Sequence, residues 1–321
     1  MVDSPGRITL WGIEVFVATA DEKSISAAAR RLGASPSSIS QQLSNLEAAL
    51  GAKLLNRSAR PVTLTPAGAL FRRRAQTILN EAEQARAELA LEDLSRLTRF
   101  RLGMIEDFDA DVTPALLGAM AQDFCATQFL LETGASHRLY DQRDARALDV
   151  IVAADMGAEA AWMEVHPLIE EPFVAAVPRG ALVEGRDVLG QLSGLPLIQY
   201  TARHHMGRQI AAHLARQNLR LDHRFELDSY HAIMSMVAAG AGWTILTPLG
   251  FLRAHRFRNQ AEMVALPFKP LSRRISLIAR RDVLGEMPAD VATRLKPLLL
   301  REFIEPCLLE MPWLEGQLRL L

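Results

Sequence analysis

The chain is poor in cysteine, in net charge and in long apolar runs. Its 321 residues include only Cys125 and Cys307, too few for a disulfide framework or a cysteine-based metal site, and suited to a reducing compartment. Lys and Arg number 36 against 37 Asp and Glu, so the surface is not uniformly basic, although a local basic patch fits that balance. No apolar run reaches the roughly 18 residues of a membrane span. The start, MVDSPGRITLWG, lacks the basic head and apolar core of a signal peptide, so a cytoplasmic protein with no membrane partner is expected. A phosphate-binding loop, a nucleophile elbow, a His-Glu-x-x-His motif and a dinucleotide fingerprint are all missing. No catalytic residue can therefore be assigned, no cofactor or metal is expected, and the chain does not read as an enzyme.

What is present begins with Ser24–Glu47, which reads as two short helices joined by a turn at Gly33-Ala34. Ser35 has the character of a helix cap, and Pro36 suits a first helical position, where a missing N–H costs nothing. Ser24, at the start of the stretch, joins Ser35 and Pro36 among the candidate DNA contacts. Ile39, Leu43 and Leu46 recur at helical spacing and should face inward. The other face carries Ser37, Ser38, Ser40, Gln41, Gln42 and Asn45, uncharged donors and acceptors of the kind that match base edges in a major groove. Two short extended segments follow, around Lys53–Asn56 and Pro61–Leu64, with Arg57 and Arg60 at the tip between them. A helix pair followed by a basic hairpin is the pattern of a winged helix whose wing meets the phosphate backbone.

Residues 8–70 resemble the DNA-binding domain of LysR-type transcriptional regulators. The resemblance rests on Ser24-Ile25-Ser26, Ala28-Ala29, Leu32, Ser35, Ser40-x-Gln42-Leu43, Leu46-Glu47, Leu50-Gly51, Leu54, Arg57, Arg60 and Leu64-Thr65-Pro66-Ala67-Gly68. The chain departs from the usual pattern at Pro36-Ser37, Gln41 and Leu55. After Thr65-Pro66 a long helix is expected, with Phe71, Ala75, Ile78, Ala82, Ala85 and Leu89 spaced as a coiled-coil seam. The resemblance implies that this helix dimerises the protein, that homodimers assemble into homotetramers, and that the partner is double-stranded DNA.

From about Arg96 strands and helices alternate, which implies parallel strands with crossover helices. This part resembles the family's effector-binding region, a two-lobed α/β fold like that of periplasmic binding proteins, through Leu148-Asp149-Val150-Ile151, Glu171-Pro172-Phe173-Val174 and Val237–Trp243. The expected organisation is a winged helix-turn-helix over 1–65, a linker helix over 66–95, and an effector domain over 96–304. Within the last, lobe I spans about 96–168 and 273–304 and lobe II about 169–272. An extension, 305–321, offers Met311, Trp313, Leu314, Leu318 and Leu320 for packing on a lobe or on a neighbouring subunit.

Ligands of open α/β sheets bind beyond the carboxyl ends of the strands. Position thus nominates Glu106, Asp107 and Phe108 after the first strand, Thr133 and Ser136 after the second, and Gln199, Thr201, His204, Ser229 and His231 in the other lobe. The acidic run from Glu106 to Asp111 suggests a cationic effector, against the plainer reading that these acids face solvent and cap the next helix. The scattered histidines have no compact ligand spacing. The expected function is a ligand-responsive DNA-binding regulator with its small-molecule effector held between two lobes. The alternative is a constitutive repressor whose cleft is collapsed or permanently occupied.

Overall fold

The computed structural model describes residues 7–89, 99–125, 127–157 and 160–321. They form two compact units, Met1–Glu92 with Ala145–Ala147, and Asp93–Asp144 with Leu148–Leu321. In the first, helices α1 (Leu10–Glu22), α2 (Ile25–Arg31) and α3 (Pro36–Leu50) precede a hairpin of β1 (Leu55–Asn56) and β2 (Thr63–Leu64), then the long α4 (Pro66–Leu89). Ser35 caps α3 as expected, its Oγ accepting from the Ser38 N–H at 3.2 Å, and Ser24 caps α2 in the same way, accepting from the Ala27 N–H at 3.3 Å. Gly51 ends α3 in the left-handed region at φ 64°, where a side chain would strain the backbone. Ile13, Phe16, Val17, Ile39, Leu43 and Leu46 close the core, joined by Leu54 and Leu55 from the wing.

The expected seam on α4 is partly used inside this unit. The half-buried Phe71 packs on Phe16 with ring centroids 5.4 Å apart, and Ala75 is fully buried in the same core, so Ala75 is not open to a second subunit. Ile78 is 39% exposed and Ala85 is exposed, while Ala82 is half-buried. The Leu89 side chain and positions 90–95 of the expected linker lie outside the described residues.

The second unit opens with β3 (Arg99–Ile105), α5 (Val112–Asp123), β4 (Gln128–Gly134), α6 (Ser136–Asp144) and β5 (Val150–Ala154), with β4 and β5 both parallel to β3. The chain then runs through β6 (Met163–Pro172), β7 (Val174–Pro178), α7 (Val188–Ser193), β8 (Leu197–Tyr200), α8 (His205–Arg216), β9 (His223–Leu227), α9 (Tyr230–Ala238) and β10 (Thr244–Leu246). It continues with α10 (Pro248–Arg253), β11 (Ala261–Ala265), β12 (Ser272–Arg280), α11 (Met287–Leu299), α12 (Glu305–Glu310) and β13 (Arg319–Leu320). One sheet has the order β13-β6-β12-β5-β3-β4. A smaller sheet, β10-β7-β11, is linked by an isolated bridge at Leu197–Trp243 to the parallel pair β8 and β9. Trp243 is fully buried, and Gly242 before it, at φ 154°, brings its backbone so near Pro196 that a Cβ would lie 2.1 Å from the Pro196 carbonyl oxygen. That close approach requires glycine.

The extension packs on its own unit. Leu314 and Leu318 are buried, β13 pairs with β6, and Arg319 reaches Glu170 at 2.7 Å, so the free edge of β6 is covered where the two strands pair. Trp313 stays 38% exposed.

Candidate functional site

The first candidate surface is the outer side of α3. Ser35, Pro36, Ser37, Ser38, Gln41 and Asn45 are exposed, Ser24, Ser40 and Gln42 half-buried, and Arg60 is exposed at the wing tip. Some polar groups are already engaged. The Ser35 hydroxyl caps its own helix and meets Ser37 Oγ at 3.0 Å, and Gln41 Nε2 donates to Asn45 Oδ1 at 2.9 Å. Arg57, expected to meet phosphate at the wing, is half-buried, and its guanidinium donates to Glu47 Oε2 at 2.9 Å, to Ser44 Oγ at 3.0 Å and to the Ser40 carbonyl, so it braces the wing against α3.

Glu47, which sequence reading noted only as a family marker, organises that brace. Its side chain is 3% exposed and accepts from the Leu54 and Leu55 N–H groups at 2.8 and 3.2 Å, and from Lys53 at 3.2 Å. Burial pushes its carboxyl upward, but the two backbone donors with Lys53 and Arg57 outweigh that and hold it below its ordinary value. Arg7 and Thr9, also absent from the expected set, share a recess with Gln42, Asn45 and Leu46.

The second candidate site is a small cavity of about 50 Å³ between the two sheets of the effector unit. Asp107 follows β3, Ser136 and His137 start α6, Tyr200 ends β8, His204, His205 and Met206 start α8, Tyr230 starts α9, and Arg273 lies near the start of β12. Of the expected residues, Glu106, Asp107, Ser136 and His204 line this space. Phe108 is buried in the core instead, and Thr201 is turned to Glu226 at 2.6 Å. Thr133, Ser229 and His231 are exposed and, like the half-buried Gln199, lie off the cavity. The Ser136 hydroxyl accepts the Ala154 N–H at 3.1 Å, a structural use of the group.

Arg273 was not among the expected residues, and it controls the electrostatics here. It faces Glu171 across the β12–β6 pairing and donates to Glu171 Oε1 at 2.7 Å, to Asp107 Oδ2 at 2.9 Å and to Thr247 Oγ1 at 3.3 Å. Glu171 Oε2 in turn accepts the Leu249 N–H at 3.2 Å. Burial raises the Glu171 carboxyl and Arg273 works against it; with the guanidinium at 2.6 Å we treat the pair as ionised. Arg253 adds a second cation, 2.8 Å from Asp109 and 3.7 Å from Glu106. Arg253 and Arg273 thus engage Glu106, Asp107, Asp109 and Glu171 from within, and these carboxylates outnumber the two cations. Asp111 is exposed and occupies the cap position of α5 without a side-chain bond. Asp107 Oδ1, 3.8 Å from Arg253, and His137 Nδ1 are buried at the cavity without a hydrogen-bond partner. Among the described residues no group of three His, Cys, Asp or Glu side chains could hold a metal ion.

Histidines meet across the cavity, His137 and His204 with ring centroids 5.1 Å apart. Burial first, then the neighbouring His137, lowers the His204 pKa; burial and Arg208 do the same for His205. A histidine depressed in the folded state costs stability as pH falls from its unfolded value, about 6.5, toward its folded one. The melting temperature should accordingly fall between pH 7.5 and 5.5, and fall less in His204→Gln. Differential scanning calorimetry at the two pH values reads this directly.

A winged helix-turn-helix followed by a two-sheet α/β unit with a polar cavity defines a ligand-responsive transcriptional regulator rather than an enzyme. The chain belongs to the LysR family: the bacterial regulatory helix-turn-helix protein model of that family matches residues 10–69, and the LysR substrate binding domain matches residues 95–294. A probable hydrogen peroxide-inducible genes activator of Mycobacterium avium is 29% identical over 87% of this chain and 90% of its own length. The DNA-binding transcriptional dual regulator OxyR of Escherichia coli is 28% identical over 84% and 88%. Among solved structures, full-length OxyR of Pseudomonas aeruginosa, in a cysteine-to-aspartate variant, has a TM-score of 0.64 at 23% identity, covering 90% of this chain and 95% of its own. CbnR, a LysR family transcriptional regulator, has a TM-score of 0.63 at 18% identity, covering 91% and 99%. The match to the substrate binding domain and the regulators among the relatives do not favour a constitutive repressor with a collapsed cleft. No helix among the described residues is long and apolar enough to cross a membrane.

Proposed function

We propose that this regulator senses its effector by reversible, non-covalent binding in the cavity beside Arg273, and reads duplex DNA with the exposed face of α3. One observation carries the departure from its peroxide-responsive relatives: neither thiol of the chain lines the cavity. Cys125 is exposed just beyond α5, and Cys307 is buried in α12, where burial, with Glu171 and Glu310 nearby, pushes its thiol up to about 12. A peroxide-sensing cysteine needs an accessible thiol with a depressed pKa, the opposite of the Cys307 environment. The cavity instead offers Asp107 Oδ1, which accepts no hydrogen bond within the chain, and the His137 and His204 rings, a set suited to a small polar molecule that carries a hydrogen-bond donor. Homodimers pairing through α4 and assembling into tetramers remain part of this reading, with Ile78, Ala82 and Ala85 as the contact positions, as does a cytoplasmic location.

The test is a footprint on the DNA upstream of the gene, before and after brief micromolar hydrogen peroxide. An unchanged footprint is expected for the wild type and for C125S/C307S alike. A peroxide-dependent shift that disappears in the double variant would overturn the non-thiol reading.

A further inference from the structure

The effector unit contains a second cavity of about 280 Å³ that shares no lining residue with the first. Its walls include Tyr140 and Arg143 of α6, Met156, Trp162, Met163 and Ile278. Arg143 is the unusual element. Its side chain is 5% exposed, and its guanidinium carbon lies 4.6 Å from the Tyr140 ring centroid and 4.9 Å from that of Trp162. Nε and Nη2 donate to Asp144 Oδ1 at 3.2 and 2.8 Å, but Nη1 is buried with no hydrogen-bond partner. An arginine that served only to pin Trp162 would need the stacking and the Asp144 bond, and would gain nothing from a buried, unanswered N–H of a charged group. Trp162 is itself 44% exposed, unusual for a large aromatic next to a cavity.

We propose that this cavity is a second small-molecule site, which takes a monocarboxylate with a flat apolar body. The carboxylate accepts from Arg143 Nη1, and the apolar body lies against Trp162 and the two methionines. The charge balance favours a monoanion. Asp144, 57% exposed at the side chain, offsets the buried Arg143 only in part. Asp155 on the cavity wall is 3.9 Å from Arg274, so the described residues leave no second cation for a dianionic phosphate. The volume lies near the lower bound, roughly 300 Å³, of ligand pockets. The site also has a route to the first. Arg143 stands in the last turn of α6, and Ser136 and His137 at the start of the same helix line the effector cavity. A ligand that shifts α6 couples the two sites, and the coupling must be reciprocal.

Titration of the full chain with phenylacetate, phenylacetamide and phenethylamine tests this, read by calorimetry and by tryptophan fluorescence. Saturable binding of phenylacetate alone is expected. It should weaken tenfold or more in Arg143→Gln and in Trp162→Ala, and stay unchanged in His204→Ala. Trp162→Ala, at an exposed position, keeps the test valid should Arg143→Gln fold poorly. No phenylacetate binding below about 10 mM, a free energy under roughly 3 kcal/mol, would overturn the proposal. So would equal binding of the amide, or loss of binding in His204→Ala instead of in the two cavity variants.

Discussion

Arg273→Met should destabilise the effector unit by about 3–5 kcal/mol, the usual cost of removing one partner from a buried ion pair. The effect is large because two acids depend on this one guanidinium: Glu171 is 0% exposed and Asp107 4% at the side chain. Water cannot replace the lost cation at Glu171, so its charge must be carried unpaired or neutralised by a proton. Arg273→Lys should recover only part of the loss, since an ammonium cannot reach Glu171, Asp107 and Thr247 in the fixed fork that a guanidinium presents. The triple change R273M/E171Q/D107N should be more stable than R273M alone, because it removes the stranded charges together with their partner. Urea unfolding followed by circular dichroism measures all three. A wild-type midpoint for R273M would mean that the network does not hold the fold. The same network connects the turn after β3, the end of β6 and the start of α10, so its loss should also blunt any response to effector.

Glu47→Gln should be the most damaging single change in the DNA-binding unit, by about 2–4 kcal/mol, because it weakens two backbone bonds to a charged acceptor and strands Arg57. The pH dependence follows from the depressed carboxyl. The stabilisation is fully present above the unfolded carboxyl value, about 4.3, and is lost as pH falls through the lower folded value. Melting of the wild type should thus fall faster with acid below pH 4.3 than melting of Glu47→Gln, in which this group cannot titrate. At neutral pH the variant should bind DNA more weakly even though Glu47 is buried and acidic, since the wing carrying Arg60 would no longer be fixed to α3. Unchanged stability and DNA affinity would show that the wing is held by its apolar contacts alone.

Much of this architecture can be read from local pattern. Capping serines, Pro36 at a helix start and the spacing of Ile39, Leu43 and Leu46 specify α2 and α3 because each signal acts within one or two turns. Buried parallel strands such as β5 read plainly as apolar runs. β6 does not: MEVHPLIEEP mixes charges with two prolines, and it is a strand because β12 and β13 pair with it from distant parts of the chain. The cavity follows the same logic. Asp107 and His204 were found by their place after strands, whereas Arg273 bonds a partner 166 residues away, which no local period reveals. The pairing of the acidic run was not legible for that reason, as its cations arrive from α10 and β12. Nor was the bracing role of Arg57, whose carboxylate partner sits on the preceding helix, 10 positions earlier.

The most direct test of the central claim is a footprint and gel-shift titration on the upstream DNA at about 150 mM salt, comparing the wild type with Gln41→Ala and Asn45→Ala on the exposed face of α3. The account predicts one protected region, a loss of about 1–3 kcal/mol in affinity for each variant at that region, and near-normal non-specific binding, since amide contacts to base edges carry sequence and phosphate contacts carry bulk affinity. No protected region, or variants that bind it as tightly as the wild type, would contradict the claim that this helix reads DNA.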